Sequence, residues 1–258
     1  MQISKTNANR LDEQFYSRHN GFDTSKTVSH QHTDGHRGAA LATPGLFTGI
    51  LPGDYLEICA AARARNFARG ETLCREGDPI QRVLLVTSGF VKITQLGGSG
   101  TEAILRLGAP GEVVDLGCLF STGRHCTTAK AFRLCQALVW DAPTFNSLAK
   151  RYPALYRNMV QILGEYMLEL EERFREVATE RVGSRVARQL VRLMTKIGRP
   201  EDGHVIVGLS RQELAEMTGT TLFTVSRLLS AWEERGMVRP SREAVTICDV
   251  QSLRNVSE

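Results

Sequence analysis

Long apolar runs are missing from this sequence. Nowhere in its 258 residues do apolar side chains continue for the roughly 18 positions that a membrane-spanning helix needs. Paired cysteines are missing too. No C-x-x-C occurs among Cys59, Cys74, Cys118, Cys126, Cys135 and Cys248, so the usual ligand spacings for zinc or an iron–sulfur cluster are absent. There is also no nucleophile–base motif, no phosphate-cradling loop with its lysine and no metal-ligand cluster. Enzyme chemistry and a bound metal are therefore not expected. The opening stretch MQISKTNANRLDEQ lacks the apolar core of a signal peptide. The expectation is a cytoplasmic protein with no membrane partner, whose cysteines are small buried hydrophobes rather than disulfides.

Charge of one sign is scarce as well. The formal net charge is only +4, and from Glu180 to the end there are 12 Arg or Lys against 10 Asp or Glu. A nucleic-acid footprint on such a chain has to come from clustering on one face.

What is present divides into four stretches. Residues 1–45 are polar, hold His19, His30, His32 and His36, and keep no period of 2 or 3.6, which reads as a solvated flexible tail. Residues 46–150 carry short apolar runs between glycine turns. VLLV (83–86), FVKITQL (90–96), AILRL (103–107) and ALVWD (137–141) read as strands, with Gly89 at a turn. Many short strands with regular turns predict an all-β barrel or roll. A helical stretch then starts near Pro143, and a longer helix at Pro153 fills residues 151–178. Its Val160, Leu163, Met167, Leu170, Phe174 and Val177 are spaced 3, 4, 3, 4, 3, a heptad seam suited to a dimer.

The last stretch, 179–258, holds the strongest signal. Ser210 and Glu213 match a capping box, and Gly219 falls where two helices need a tight turn. Thr220 or Thr221 then caps a second helix running to about Glu234, with Val225, Leu228, Leu229 and Trp232 as its buried stripe. That leaves Thr221, Leu222, Phe223, Ser226, Arg227 and Ser230 outward. The start of a recognition helix faces base edges. Arg227 can bond a guanine in bidentate fashion, and Arg211, Thr221 and Thr224 suit phosphates. Leu222 and Phe223 are large apolar groups for such a face. They suit thymine methyls, a protein partner or partial burial. Strands at 205–207 and 245–247, with a turn near Arg239-Pro240-Ser241-Arg242, complete a winged helix-turn-helix. The fold class is α+β: an antiparallel β-roll or jelly-roll barrel, a long helix and a winged helix-turn-helix.

LSRQELAEMTGTTLFTVSRLLSAWEERGMV (209–238) resembles the helix-turn-helix of the Crp/Fnr transcription regulators nearly throughout. RGETLCREGD (69–78), VTSGFVKI (86–93) and GAPGEVVDLGCLF (108–120) extend the resemblance over roughly 47–250. It implies a homodimer on two-fold symmetric double-stranded DNA, RNA polymerase as a further partner, activation of transcription, and a hinge near Ala178 to Val182. The members that bind cyclic AMP carry a Gly-Glu pair for the ribose and an Arg-Ser pair for the phosphate. Here those places read Asp115-Leu116 and, within Arg124-His125-Cys126-Thr127, Cys126. A buried phosphate without its arginine loses a charge-assisted pair, and Asp115 repels it, so cyclic AMP is not expected as the ligand. Many members also carry Glu where this chain has Phe223. The iron–sulfur sensors of the family use N-terminal cysteines, whereas the first cysteine here is Cys59, which argues against that cofactor. Haem stays open, with His125 and Cys126 as candidate ligands, although a surface-loop role is the favoured reading of His125. Redox sensing by Cys118 or Cys126 is a further alternative, as is a C-terminal domain that binds protein instead of DNA.

Overall fold

The computed structural model describes residues 45–98, 100–116, 119 and 123–257. Apart from Gly45, the tail assigned to 1–45 lies outside the described residues, as does Cys118.

The first element is a helix that the sequence reading did not single out, α1 (Pro52–Ala60), with proline in its first turn. Seven strands follow: β1 (Arg63–Phe67), β2 (Thr72–Cys74), β3 (Arg82–Ser88), β4 (Val91–Leu96), β5 (Glu102–Gly108), β6 (Thr128–Ala131) and β7 (Cys135–Asp141). All their pairings are antiparallel. They form two sheets, ordered β1-β7-β3 and β2-β6-β4-β5. Alternation decides which side chains fill the space between the sheets. Leu84 and Val86 of β3, Val91 and Ile93 of β4, and Ala129 and Ala131 of β6 are buried there with Phe67 and Cys135. Gly89 has φ +75°, and a Cβ on it would stand 2.1 Å from the Leu134 carbonyl oxygen. Only glycine fits that crossing between β3 and β4.

Two helices close the roll. α2 (Ala142–Arg151) leads to α3 (Pro153–Thr179), and each has a proline in its first turn, where its missing N–H costs nothing. The first part of α3 packs on the roll. Leu155, Met159 and Ile162 join Trp140, Phe145 and Ile58 in one apolar cluster, and the Trp140 indole N–H donates to the Ile58 carbonyl at 2.8 Å. Beyond Ile162 the helix turns most of its apolar residues outward.

The chain breaks at Glu180 and Arg181, both extended, before α4 (Val182–Ile197). A third sheet, ordered β10-β11-β9-β8, is built from β8 (Arg199–Glu201), β9 (His204–Val207), β10 (Val238–Pro240) and β11 (Val245–Ile247). Between β9 and β10 lie α5 (Arg211–Thr218) and α6 (Leu222–Glu234), and α7 (Val250–Ser257) follows β11. One core holds this region together. Val186, Leu190 and Leu193 of α4 meet Leu214, Val225, Leu229 and Trp232, and Leu107 and Phe132 of the roll join them. No helix among the described residues is long and apolar enough to cross a membrane.

Candidate DNA interface and effector-domain cluster

Local chemistry sets the α5–turn–α6 geometry. The Ser210 hydroxyl accepts from the Glu213 backbone N–H, while the Glu213 carboxylate accepts from the Ser210 N–H at 2.9 Å, so both halves of the capping box are made. Gly219 takes the left-handed conformation, φ +60°, and ends α5. Thr221 caps α6 by accepting from the Thr224 N–H at 3.2 Å. Arg185 of α4 donates to the carbonyl oxygens of Thr218 and Gly219, which fastens the turn to the domain core.

The outer face of α6 follows. Val225, Leu229 and Trp232 are buried and Leu228 is half-buried, while Thr221 and Arg227 are exposed and Thr224 and Ser226 half-buried. Leu222 is 46% exposed and Phe223 76%, so neither is a core residue of the single chain. Arg211 opens α5 half-buried, with its Nε unpaired in the protein. The wing is the β10–β11 hairpin, closed by the Ser241 N–H donating to the Ala244 carbonyl at 2.7 Å. Arg239 and Arg242 stand exposed on it. Sequence reasoning placed that turn without assigning its arginines a role.

The seam residues of α3 are largely bare. Val160, Met167, Leu170, Phe174 and Val177 are 55–74% exposed, and Leu163 is half-buried against the roll. Leu168, outside the seam, is 67% exposed.

In the roll, the candidate effector residues converge. Asp115 is buried, and its backbone has φ +54°, a left-handed conformation that aspartate tolerates better than most residues. Its carboxylate contacts the His125 Nδ1 at 2.8 Å and accepts from the Cys126 N–H at 3.2 Å and the Thr127 hydroxyl at 3.1 Å. Leu116 is a core residue. Arg124 is exposed and donates to the Gly77 carbonyl at 2.8 Å.

Two expectations are corrected here. His125 is not a surface-loop histidine but 8% exposed. Its backbone is locked from both sides, its N–H donating to Asp78 and its carbonyl accepting from Gly77. Hydrogen bonding to Asp115, and next to Cys74, favours the protonated imidazole and pushes its pKa up to about 9. Cys126, expected as a free thiol, is disulfide-bonded. Cys59, Cys74, Cys135 and Cys248 form no disulfide. Burial pushes the Cys135 thiol up to about 11, which keeps it unreactive. The residue that sequence reasoning missed is Cys74, which closes the cluster from the end of β2.

A capped helix-turn-helix with a wing, joined by a long helix to a β-roll, defines a DNA-binding transcription regulator. The comparisons agree. A profile described as the Crp-like helix-turn-helix domain matches residues 184–256, and one for the cyclic nucleotide-binding domain matches 64–152. The chain is 30% identical over 193 residues to the Global nitrogen regulator of Synechococcus elongatus, covering 73% of this chain and 86% of that one. It is 26% identical over 215 residues to the CRP-like cAMP-activated global transcriptional regulator of Mycobacterium tuberculosis, covering 83% and 96%. Among solved structures, the c-di-GMP responsive global regulator CLP of Xanthomonas campestris shares the fold, with a TM-score of 0.68 at 21% identity over 76% of this chain and 98% of that one. The chain belongs to the Crp/Fnr family of transcription regulators.

Proposed function

We propose that the protein acts as a homodimer that reads a two-fold symmetric DNA site through α6, and that its effector domain does not answer to cyclic AMP. The bare apolar seam of α3 is the observation that carries the dimer. A stripe from Val160 to Val177 repeating every 3.5 residues and left largely exposed by its own chain fits a second copy of itself. Residues 46–150 form the effector domain in this reading, 151–178 the dimer helix and 179–258 the reading domain. RNA polymerase is the further partner.

The reading surface is Arg227 on a guanine edge, with Arg211, Thr221, Thr224 and Ser226 setting register on phosphates. Exposed Leu222 and Phe223 supply apolar contact for thymine methyls. Against cyclic AMP stands the carboxylate of Asp115. It already bridges to His125, Cys126 and Thr127, joining the two chain segments between which the nucleotide would bind, and Cys126 stands where an arginine would meet the phosphate.

Sedimentation and footprinting test the reading together. The expected outcome is a dimer protecting two half-sites about one helical turn apart; a monomer, or protection of a single half-site, overturns it. Titration with cyclic AMP is expected to leave DNA affinity unchanged, and a clear rise would restore the nucleotide as effector.

A further inference from the structure

We propose that Cys74, Asp115 and His125 form a binding site for a divalent transition-metal ion of the zinc class. One ligand atom from each, a sulfur, a carboxylate oxygen and an imidazole nitrogen, lies within 4.8 Å of both others, and all three residues are buried. It is the one such grouping among the described residues.

Three separate pieces of chain supply the donors. Cys74 ends β2, Asp115 follows the Val113 bridge to β3, and His125 precedes β6. Each is held by backbone contacts of its own. β2 pairs with β6, the Val114 N–H donates to Leu84, and His125 is pinned to Gly77 and Asp78. The donors therefore meet through tertiary structure already in place, the arrangement that keeps ordering costs low when an ion binds.

The donor chemistry selects the ion. Sulfur, imidazole nitrogen and carboxylate oxygen together suit a tetrahedral borderline ion better than magnesium or calcium, which prefer all-oxygen sets. Binding displaces the proton of the Cys74 thiol and that of the His125 imidazolium; the resulting thiolate and the carboxylate bring two negative charges, which a dication cancels inside a buried site. Bonds of about 2.0 Å to nitrogen and oxygen put tetrahedral ligands about 3.3 Å apart. The Asp115–His125 contact of 2.8 Å thus needs to open by only about half an ångström. The Thr127 hydroxyl and the Cys126 N–H, both on the Asp115 carboxylate, are the outer partners that orient it. Three protein donors leave a fourth position for water or a small ligand, the pattern of sites where the ion does more than brace the fold.

The test uses the full chain, stripped with a chelator and titrated with Co2+ alone. A near-ultraviolet thiolate-to-cobalt band is expected, saturating at one ion per protomer and displaced by Zn2+. The four histidines of residues 1–45 can also take up cobalt but carry no thiol, so the band, not the amount bound, is the readout. Cys74→Ser is expected to abolish the band, whereas Cys59→Ser, at another buried thiol, keeps it. His125→Gln leaves the thiol in place and is expected to weaken cobalt binding at least about tenfold. It serves as the deciding variant if Cys74→Ser fails to fold. Absence of the band in the wild-type chain, its survival in Cys74→Ser, or unchanged affinity in His125→Gln overturns the proposal.

Discussion

Arg227 and Phe223 share the exposed side of α6 but ask different things of a base pair. A guanidinium donates two parallel hydrogen bonds and fits guanine, while a phenyl ring offers only apolar contact and cannot accept from cytosine. Arg227→Ala is expected to weaken binding to the preferred site by about 1–3 kcal/mol and relax selection at one position per half-site. Competition binding against single-base variants checks this, and equal loss on every sequence would reduce Arg227 to a phosphate contact. Phe223→Glu introduces an acceptor at the same place. Selection from a randomised half-site should then move toward cytosine opposite residue 223; an unchanged preference would mean that the side chain does not reach a base.

At the scale of elements, the apolar seam of α3 carries the next expectation. Phe174→Asp puts a charge in the C-terminal part of the proposed dimer seam, which needs dry apolar contact, and Phe174 is 74% exposed, so the single chain loses little by the change. Sedimentation should give a monomer with unaltered far-ultraviolet circular dichroism. A dimer that persists would place the interface elsewhere. For α5, Ser210→Ala removes one half of the capping box and should cost about 0.5–2 kcal/mol in urea unfolding.

Elements such as these were legible because their signals are local. Ser210 and Glu213 are three residues apart, Gly219 ends its own helix, and the α6 stripe repeats with helical period. Four strands of the roll, β3, β4, β5 and β7, showed through short apolar runs and glycine turns, whereas β1, β2 and β6 did not. By contrast, α1 and α4 escaped because neither carries a distinctive motif, although α4 supplies much of the core under the reading helices. The cluster around Asp115 was half legible. Resemblance to cyclic-AMP-binding members marked Asp115 and Cys126 as losses, and His125 and Cys126 also stood as candidate haem or redox groups, but nothing joined them into one cluster. That His125 is buried and that Cys74 arrives from β2 are consequences of chain folding, which no spacing rule encodes.

For the whole molecule, the join between the roll and the reading domain is electrostatic as well as apolar. Glu176, near the end of α3, is 4% exposed and takes two hydrogen bonds from Arg192, with Arg188 beside it, both arginines on α4. Glu180, at the break between these helices, pairs with Arg175 and Arg188. Replacing Glu176 removes the buried carboxylate that both arginines share and leaves each with a more exposed partner, Arg192 with Glu172 and Arg188 with Glu180. Glu176→Gln should therefore cost on the order of 3 kcal/mol, toward the low end for a broken buried pair because Arg188 and Arg192 remain 27–29% exposed. Urea unfolding measures the loss. A change under about 0.5 kcal/mol would show that the network does not brace the break.

A second join sits in the turn after β5. Glu112 pairs with Arg106 and accepts from the Tyr166 hydroxyl at 3.0 Å and from Lys196 of α4 at 3.1 Å. Three residues further along is Asp115. At most about 10–11 Å of backbone separates them, and that piece is stapled to β3, Val86 donating to the Glu112 carbonyl and Val114 to that of Leu84. So short a span, fixed along its length, acts as a strut rather than a tether. It has little slack in which a displacement of Asp115 could be absorbed before it reaches the foot of α4, the helix on which the DNA-reading pair is mounted.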